Sequence, residues 1–370
     1  MPENPRTHTA PDADPVVQGV AAWLSDTSIL SVTGRDAGRF LNAVLTQDLA
    51  PLRTNEGRYA ALVDDRGRPV SDLCVYLTIG GWILEVPRAC ASRVVTALEG
   101  WIVADDVTVQ DAGAGQVLLA LEAADSGRLD AVLPALGLEG LERDWLEAEG
   151  PAVGLCPVLG ADAGGGDSRT ALRASRLGGY GVATAMPRAR AEAALESARV
   201  LGATTLDAGI LTRLEIEAGR PGAAELSQAQ ILSELGLDGA VSFSKGCFPG
   251  QEILNRVRTR GQLQRRLVGV TLEDAAGESW AGGELVAPQS GIVGALTSAC
   301  WSPTLGRTVG FAFVRRGHWA PGTALEATRP GAAGAVRTRA RVETLPFLRR
   351  RPPGAPPAEF LPQFRPEEGR

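Results

Sequence analysis

Ser244-Lys245-Gly246-Cys247-Phe248-Pro249-Gly250-Gln251-Glu252 is the stretch from which the rest of this chain is read. Lys245 is the only lysine among 37 Lys and Arg residues. A lysine beside a cysteine points to a place for a compact ammonium rather than a wide guanidinium fork, with chance retention, since the two cations exchange readily on open surface, as the competing reading. Pro249 and Gly250 suit a turn, and Gln251 to about Thr259 places Ile253, Leu254 and Val257 at helical spacing, closed by Gly261. Cys247 then stands just before a helix N-terminus. The helix dipole and the neighbouring ammonium both favour its thiolate, which makes it the cysteine with a physical case for reactivity. A buried cysteine packing as a small hydrophobe is the competing reading. Glu252 and Arg256, at i,i+4, suit a surface pair.

Downstream of this stretch, from Leu267, the pattern becomes short alternating strands (LVGVTL, GIVGALTSA, TVGFAFV, TALEAT, AVRTRARVETL) separated by Gly and Pro, which predicts a small C-terminal β-barrel. Upstream, SILSVTG (28–34) reads as a strand, and Phe40, Leu41, Val44 and Leu45 recur at helical spacing after Asp36. Strands follow at about 58–63, 70–79 and 82–86, then a helix near 89–100 and a strand near 106–110. A second set has strands at 117–122, 151–158 and 180–185, with helices near 124–136, 188–201 and 205–218. The expected fold class is α+β: two ferredoxin-like or mixed α+β domains (21–115 and 116–265) and the barrel (266–345). Pro-rich polar tails at 1–20 and 346–370 and a glycine-rich turn or linker, GADAGGGDS (160–168), complete the reading.

At 370 residues the chain exceeds the ~250–300 at which one core stops growing, so several domains are expected. A formal charge of −6 makes nucleic acid an unlikely partner. The densest basic run, Arg256, Arg258, Arg260, Arg265 and Arg266, suits either a carboxylate-bearing ligand or a solvated face. Five widely spaced cysteines (74, 90, 156, 247 and 300) without a C-x-x-C pair suggest neither a disulfide framework nor a zinc site, and a cytoplasmic, reducing setting fits them. The two histidines, His8 and His318, leave little for imidazole chemistry. No stretch reaches the ~18 apolar residues of a membrane span or has the form of a signal peptide.

KGCFPGQE resembles the K-G-C-[FY]-x-G-Q-E signature of the YgfZ-type proteins, which share the fold of the glycine-cleavage aminomethyltransferases. The similarity runs over roughly 25–345: SVTGRDAGRFLNAVLTQDL (31–49), RLEIEAGRP (213–221) and GALTSACWSPTLGRTVGFAFV (294–314) resemble further family segments. The resemblance implies three domains in a ring around a central folate pocket, tetrahydrofolate or a derivative as cofactor, and iron–sulfur enzymes or their assembly factors as partners. It implies pocket-lining roles for Arg213, Glu215, Tyr59 and Asp72, with Cys247 and Lys245 as the chemical pair and Gly246, Phe248, Gly250, Gln251 and Glu252 as their motif. Spacing alone also allows Arg213 simply to reach Glu217 at i+4. Two departures weigh against aminomethyl transfer. The G-x-x-D-D-L segment of the transferases reads Gly67 to Leu73, GRPVSDL, keeping Asp72 but placing Ser71 where the first acid would be. Their Y-x-G-E-x-G-[FY]-E segment reads Leu177-Gly-Gly-Tyr-Gly-Val182, without an acid. A site lacking these carboxylates lacks charge to stabilise a cationic intermediate.

Overall fold

The computed structural model describes residues 14–112, 115–139, 141, 147, 153–158, 169–173, 175–260, 263–273, 279–331 and 334–352. The expected turn at 160–168 lies outside them.

Among the described residues eleven strands form one sheet: β1 (Ala21–Ser25), β2 (Thr27–Thr33), β3 (Glu56–Val63), β4 (Pro69–Thr78), β5 (Gly81–Pro87), β6 (Thr108–Asp111), β7 (Gln116–Ala123), β8 (Val153–Val158), β9 (Arg169–Arg173), β10 (Tyr180–Pro187) and β11 (Thr204–Thr205). Their order is β11-β1-β7-β10-β9-β8-β3-β4-β5-β2-β6. The barrel is closed, in the order β12-β15-β14-β13-β16-β17, from β12 (Arg265–Leu272), β13 (Glu284–Ala287), β14 (Gly291–Ser302), β15 (Arg307–Arg315), β16 (Ala324–Gly331) and β17 (Gly334–Glu343). The fold is therefore the expected mixed α+β layer with a C-terminal β-barrel.

The sheet does not divide at 115/116. β1 leaves the first half to pair with β7 and β11, and β3 joins β8 through Glu56↔Gly154 and Gly57↔Val153. β1 is short and follows a Pro-rich segment, so its pairing is decided by tertiary contacts rather than by a local signal.

Period-two alternation sorts the side chains. Ala60, Leu62, Leu73, Val75, Leu84 and Val86 face the helices Ala37–Val44 and Ala91–Glu99. Leu119, Leu121 and Val182 face the helix Arg188–Val200 through Ala191, Ala194 and Ala198. The opposite register, with Trp23, Tyr59, Ala61, Tyr76, Leu118, Ala120 and Ala183, meets Phe311 and Phe313 of the barrel, Leu214 of the helix Ala208–Glu217, and Phe248. Both sheet halves and the barrel thus share one central core, and polar side chains in this register are carried into it.

The parts of the expected tails within the described residues are packed. Val16 is buried, and a short helix, Pro15–Gln18, is capped by Asp14. Past the barrel, Phe347 lies 6.5 Å from Phe311, and Arg350 is buried. Prolines signal extended chain, and these extended segments are tied down by a few anchors that composition does not reveal.

Candidate functional site

Strand register assembles a buried polar cluster on the central face. On β4, Asp72, Cys74 and Tyr76 are two apart; Ala61 pairs with Asp72, Tyr59 with Cys74, and Cys74 with Glu85 of β5. The Tyr59 hydroxyl donates to Asp72 Oδ2 at 2.9 Å, and the Tyr76 hydroxyl donates to Glu85 Oε2 at 3.0 Å. Glu85 also pairs with Arg176, both nearly excluded from solvent. Arg220 binds Glu215 at 3.3 Å and lies close enough to Asp72 and Tyr59 to attract them. Burial works to discharge Arg220, but Glu215, Asp72 and Tyr59 overcome it and hold the guanidinium protonated. Burial, then the Asp72 charge, pushes the Tyr59 phenol well above its ordinary value, so Tyr59 is a hydrogen-bond donor at neutral pH. Among the buried atoms of the cluster, Asp72 Oδ1 and Arg176 Nε have no hydrogen-bond partner, and Glu85 Oε1 has only its ion pair with Arg176.

The loop that lacks the expected acid receives one from elsewhere. Glu122, fully buried on β7, accepts N–H groups from Arg176 at 2.8 Å, Leu177 at 2.9 Å and Gly179 at 2.6 Å. Burial raises its pKa and these three donors oppose the rise. The carboxylate is spent on shaping the loop.

Arg213 and Glu215 point to different neighbours. Arg213 Nη1 stands 4.0 Å from Glu217 Oε1, the i+4 relation, but at a buried acid rather than on a solvent face. Glu217 Oε2 is taken by Arg350 at 2.7 Å. Burial raises the Glu217 pKa, opposed by Ser302, Arg350 and Arg213; burial and Glu217 push the Cys300 thiol up to about 12.

The 244–252 loop is anchored at three points. Lys245 Nζ donates to the carbonyls of Leu45 at 2.6 Å, Gln47 at 3.1 Å, and Asn42. These oxygens belong to the C-terminal end of the helix Ala37–Val44 and the turn after it, where a cation is favoured. A small three-pronged donor suits three converging carbonyls, which gives a physical reason for lysine. Burial lowers its pKa to about 8, with Asp48 opposing. Phe248 is buried in the central core. Gly250 has φ +73°, and a Cβ there would meet the Asp64 carbonyl at 2.5 Å, so only glycine seats the loop against the Asp64–Gly67 turn. Between these anchors Gly246 and Cys247 are exposed. Gln251 opens the helix Gln251–Arg260, and Glu252 binds Arg256 at 2.9 Å on its surface.

The buried-hydrophobe reading of Cys247 is thereby set aside. The structure brings Tyr59, Asp72 and Glu215 into one cluster, places Arg213 beside Glu217, and uses Lys245 to hold the loop. The basic run is dispersed: Arg258 stacks on Phe243, Arg265 on Phe313 while binding Glu234, and Arg266 on Trp319. Glu85, Arg176, Arg220, Glu122 and Arg350 were missed. Two had a signal, since Glu85 in GWILEVP and Glu122 in QVLLALEA are lone acids inside apolar strands. Among the described residues no group of three His, Cys, Asp or Glu side chains could hold a metal ion, and no helix is long and apolar enough to cross a membrane.

Two family models match: the GCVT N-terminal domain over residues 12–136 and the glycine cleavage T-protein C-terminal barrel domain over 265–348. The aminomethyltransferase of Shouchella clausii is 31% identical, covering 89% of this chain and 87% of its own. A Chaetomium globosum protein named as a mitochondrial iron–sulfur cluster assembly factor IBA57 homolog is 26% identical over 77% of this chain and 62% of its own. Among solved structures, the glycine cleavage system aminomethyltransferase T of Bartonella henselae superposes with a TM-score of 0.75 over 91% of this chain and 88% of its own, at 21% identity.

Proposed function

This chain belongs to the aminomethyltransferase family, and from that premise we propose that it is a tetrahydrofolate-binding protein of the YgfZ type that assists assembly or repair of iron–sulfur enzymes. The observation that carries the reading is the loop itself: Lys245, Phe248 and Gly250 are committed to holding it, and what they hold out is the Cys247 thiol. A relative named as an iron–sulfur cluster assembly factor supports the same direction.

The central cluster fits a reduced folate. Asp72 Oδ1 is a buried acceptor and Arg176 Nε a buried donor, both without partners in the protein, and a pterin edge offers N–H donors beside a carbonyl acceptor. Asp72 would accept from that edge, and Tyr59 holds the Asp72 carboxylate in place through its other oxygen, with the Arg220 guanidinium close by. Arg213, 4.0 Å from the Glu217 carboxylate, retains donors for an acidic group of the ligand. A bound tetrahydrofolate would supply a carrier for one-carbon units at its ring nitrogens. Ser71, in contrast, turns its hydroxyl to the Asp72 carbonyl and adds no charge.

The experiment is genetic. Cells lacking the protein receive wild type, Cys247→Ala or Asp72→Asn, and the activity of iron–sulfur enzymes is assayed. Cys247→Ala is expected to give no rescue despite normal protein levels; full rescue would remove the thiol from the account. A second reading, folate-dependent one-carbon transfer, is favoured by the retained Asp72–Tyr59 pair. Release of ammonia from an aminomethyl donor in the presence of tetrahydrofolate would support it.

A further inference from the structure

Arg350 lies outside every motif described above and is fully buried. It donates to Asp14 Oδ2 at 2.6 Å, to the carbonyls of Leu177 at 2.7 Å and Leu214 at 3.0 Å, and to Glu217 Oε2 at 2.7 Å. Around it, Leu348 N–H donates to the Glu217 carbonyl at 2.9 Å and Arg351 Nε to the Gly179 carbonyl at 2.9 Å. The segment after the barrel is thus a strap between the end of the helix Ala208–Glu217 and the 176–179 loop, and Arg350 is its clasp.

The consequence concerns Glu217. Its Oε2 belongs to Arg350, while Oε1 has no hydrogen bond and lies 4.0 Å from Arg213, the outer limit of an ion pair. Exposed i,i+4 Arg–Glu pairs of this chain stand at 2.9 Å (Glu252–Arg256) and 3.7 Å (Arg188–Glu192), both nearer than Arg213 to Glu217 although burial should strengthen the attraction there. Arg213 stands off because Glu217 already has its cation. Without Arg350, Glu217 and Asp14 would be two buried carboxylates with Arg213 the nearest guanidinium to Glu217, and burial would drive that pair shut.

We propose that Arg350 is a positioning residue for the central site: by neutralising Glu217 it leaves the Arg213 guanidinium free for the acidic group of the ligand. This rests on the tetrahydrofolate reading above. Two other groups at Glu217, Ser302 and Cys300, are uncharged and cannot replace the clasp.

The test is calorimetric titration with tetrahydrofolate of wild type, Arg213→Ala, Arg350→Met, Arg350→Lys and the double variant Arg350→Met with Glu217→Gln, each checked for cooperative melting. Arg350→Met is expected to weaken binding about tenfold or more, to the level of Arg213→Ala, the loss of one charged hydrogen bond. Arg350→Lys keeps the charge that neutralises Glu217 but not the fork, and should bind more tightly than Arg350→Met. The decisive arm is the double variant. Removing the carboxylate that captures Arg213 should return affinity to within about threefold of wild type without raising the melting temperature above that of the single variant. A merely structural Arg350 predicts that the double variant binds no better than the single one, and that result, or undiminished binding by Arg350→Met, overturns the proposal. If wild type binds no tetrahydrofolate, the folate reading itself falls and this inference falls with it.

Discussion

The central cluster and the 244–252 loop use charge in opposite ways. In the centre, Asp72, Glu85 and Glu215 face Arg176 and Arg220 inside the protein, and two polar atoms are left unpaired. At the loop, the one cation, Lys245, has every donor committed to backbone carbonyls, while the thiol two residues later is open to solvent. The first arrangement stores unsatisfied hydrogen-bonding capacity, which is what a ligand needs. The second spends all of its capacity on rigidity, which is what a displayed reactive group needs. On the proposed reading, binding and chemistry therefore fall in different places.

The comparison breaks most visibly at Arg176. Arg176→Met leaves Glu85 buried without its cation and should cost about 3–5 kcal/mol in denaturant unfolding; a loss below about 1 kcal/mol would mean that Glu85 is simply protonated and the centre is not an ionic cluster. Next is Gly250→Ala, which forces a Cβ into the Asp64 carbonyl at positive φ; about 2–4 kcal/mol is expected. Gly246→Ala, with nothing within 4 Å of the added carbon, is the control and should be nearly silent. Cys247→Ala should change stability by no more than about 0.5 kcal/mol, since the side chain is exposed. A larger cost would show that the cysteine is structural.

The smallest effect is a pH dependence. The Lys245 ammonium titrates at about 8 when folded against 10.5 for an ordinary lysine. Between those values the unfolded chain binds the proton and the folded chain does not, so stability attributable to Lys245 rises with pH across that window. Urea midpoints of wild type measured relative to Lys245→Met should climb from pH 8 to 10. A flat difference would contradict the burial assigned to this ammonium.

The loop was legible because its residues are contiguous: a lone lysine, a cysteine, a turn and a helix start lie within nine positions. The barrel was legible from alternation and Gly–Pro punctuation. The centre was legible only in part. Tyr59 and Asp72 meet because Ala61 pairs with Asp72, and register is not written in either strand alone. Glu85 and Glu122 announced themselves as acids in apolar strands, but their partners, Arg176 and the backbone of the 176–179 loop, are far away in sequence. Arg350 sits among prolines and arginines that read as solvated tail; only the buried acids it meets give it meaning.

The separation of binding from chemistry is tested most directly by titrating tetrahydrofolate into Asp72→Asn and Cys247→Ala side by side. The account predicts that Asp72→Asn loses about tenfold or more in affinity while Cys247→Ala binds as wild type does. Equal loss in both would place the thiol in the pocket, and loss in Cys247→Ala alone would contradict the account outright.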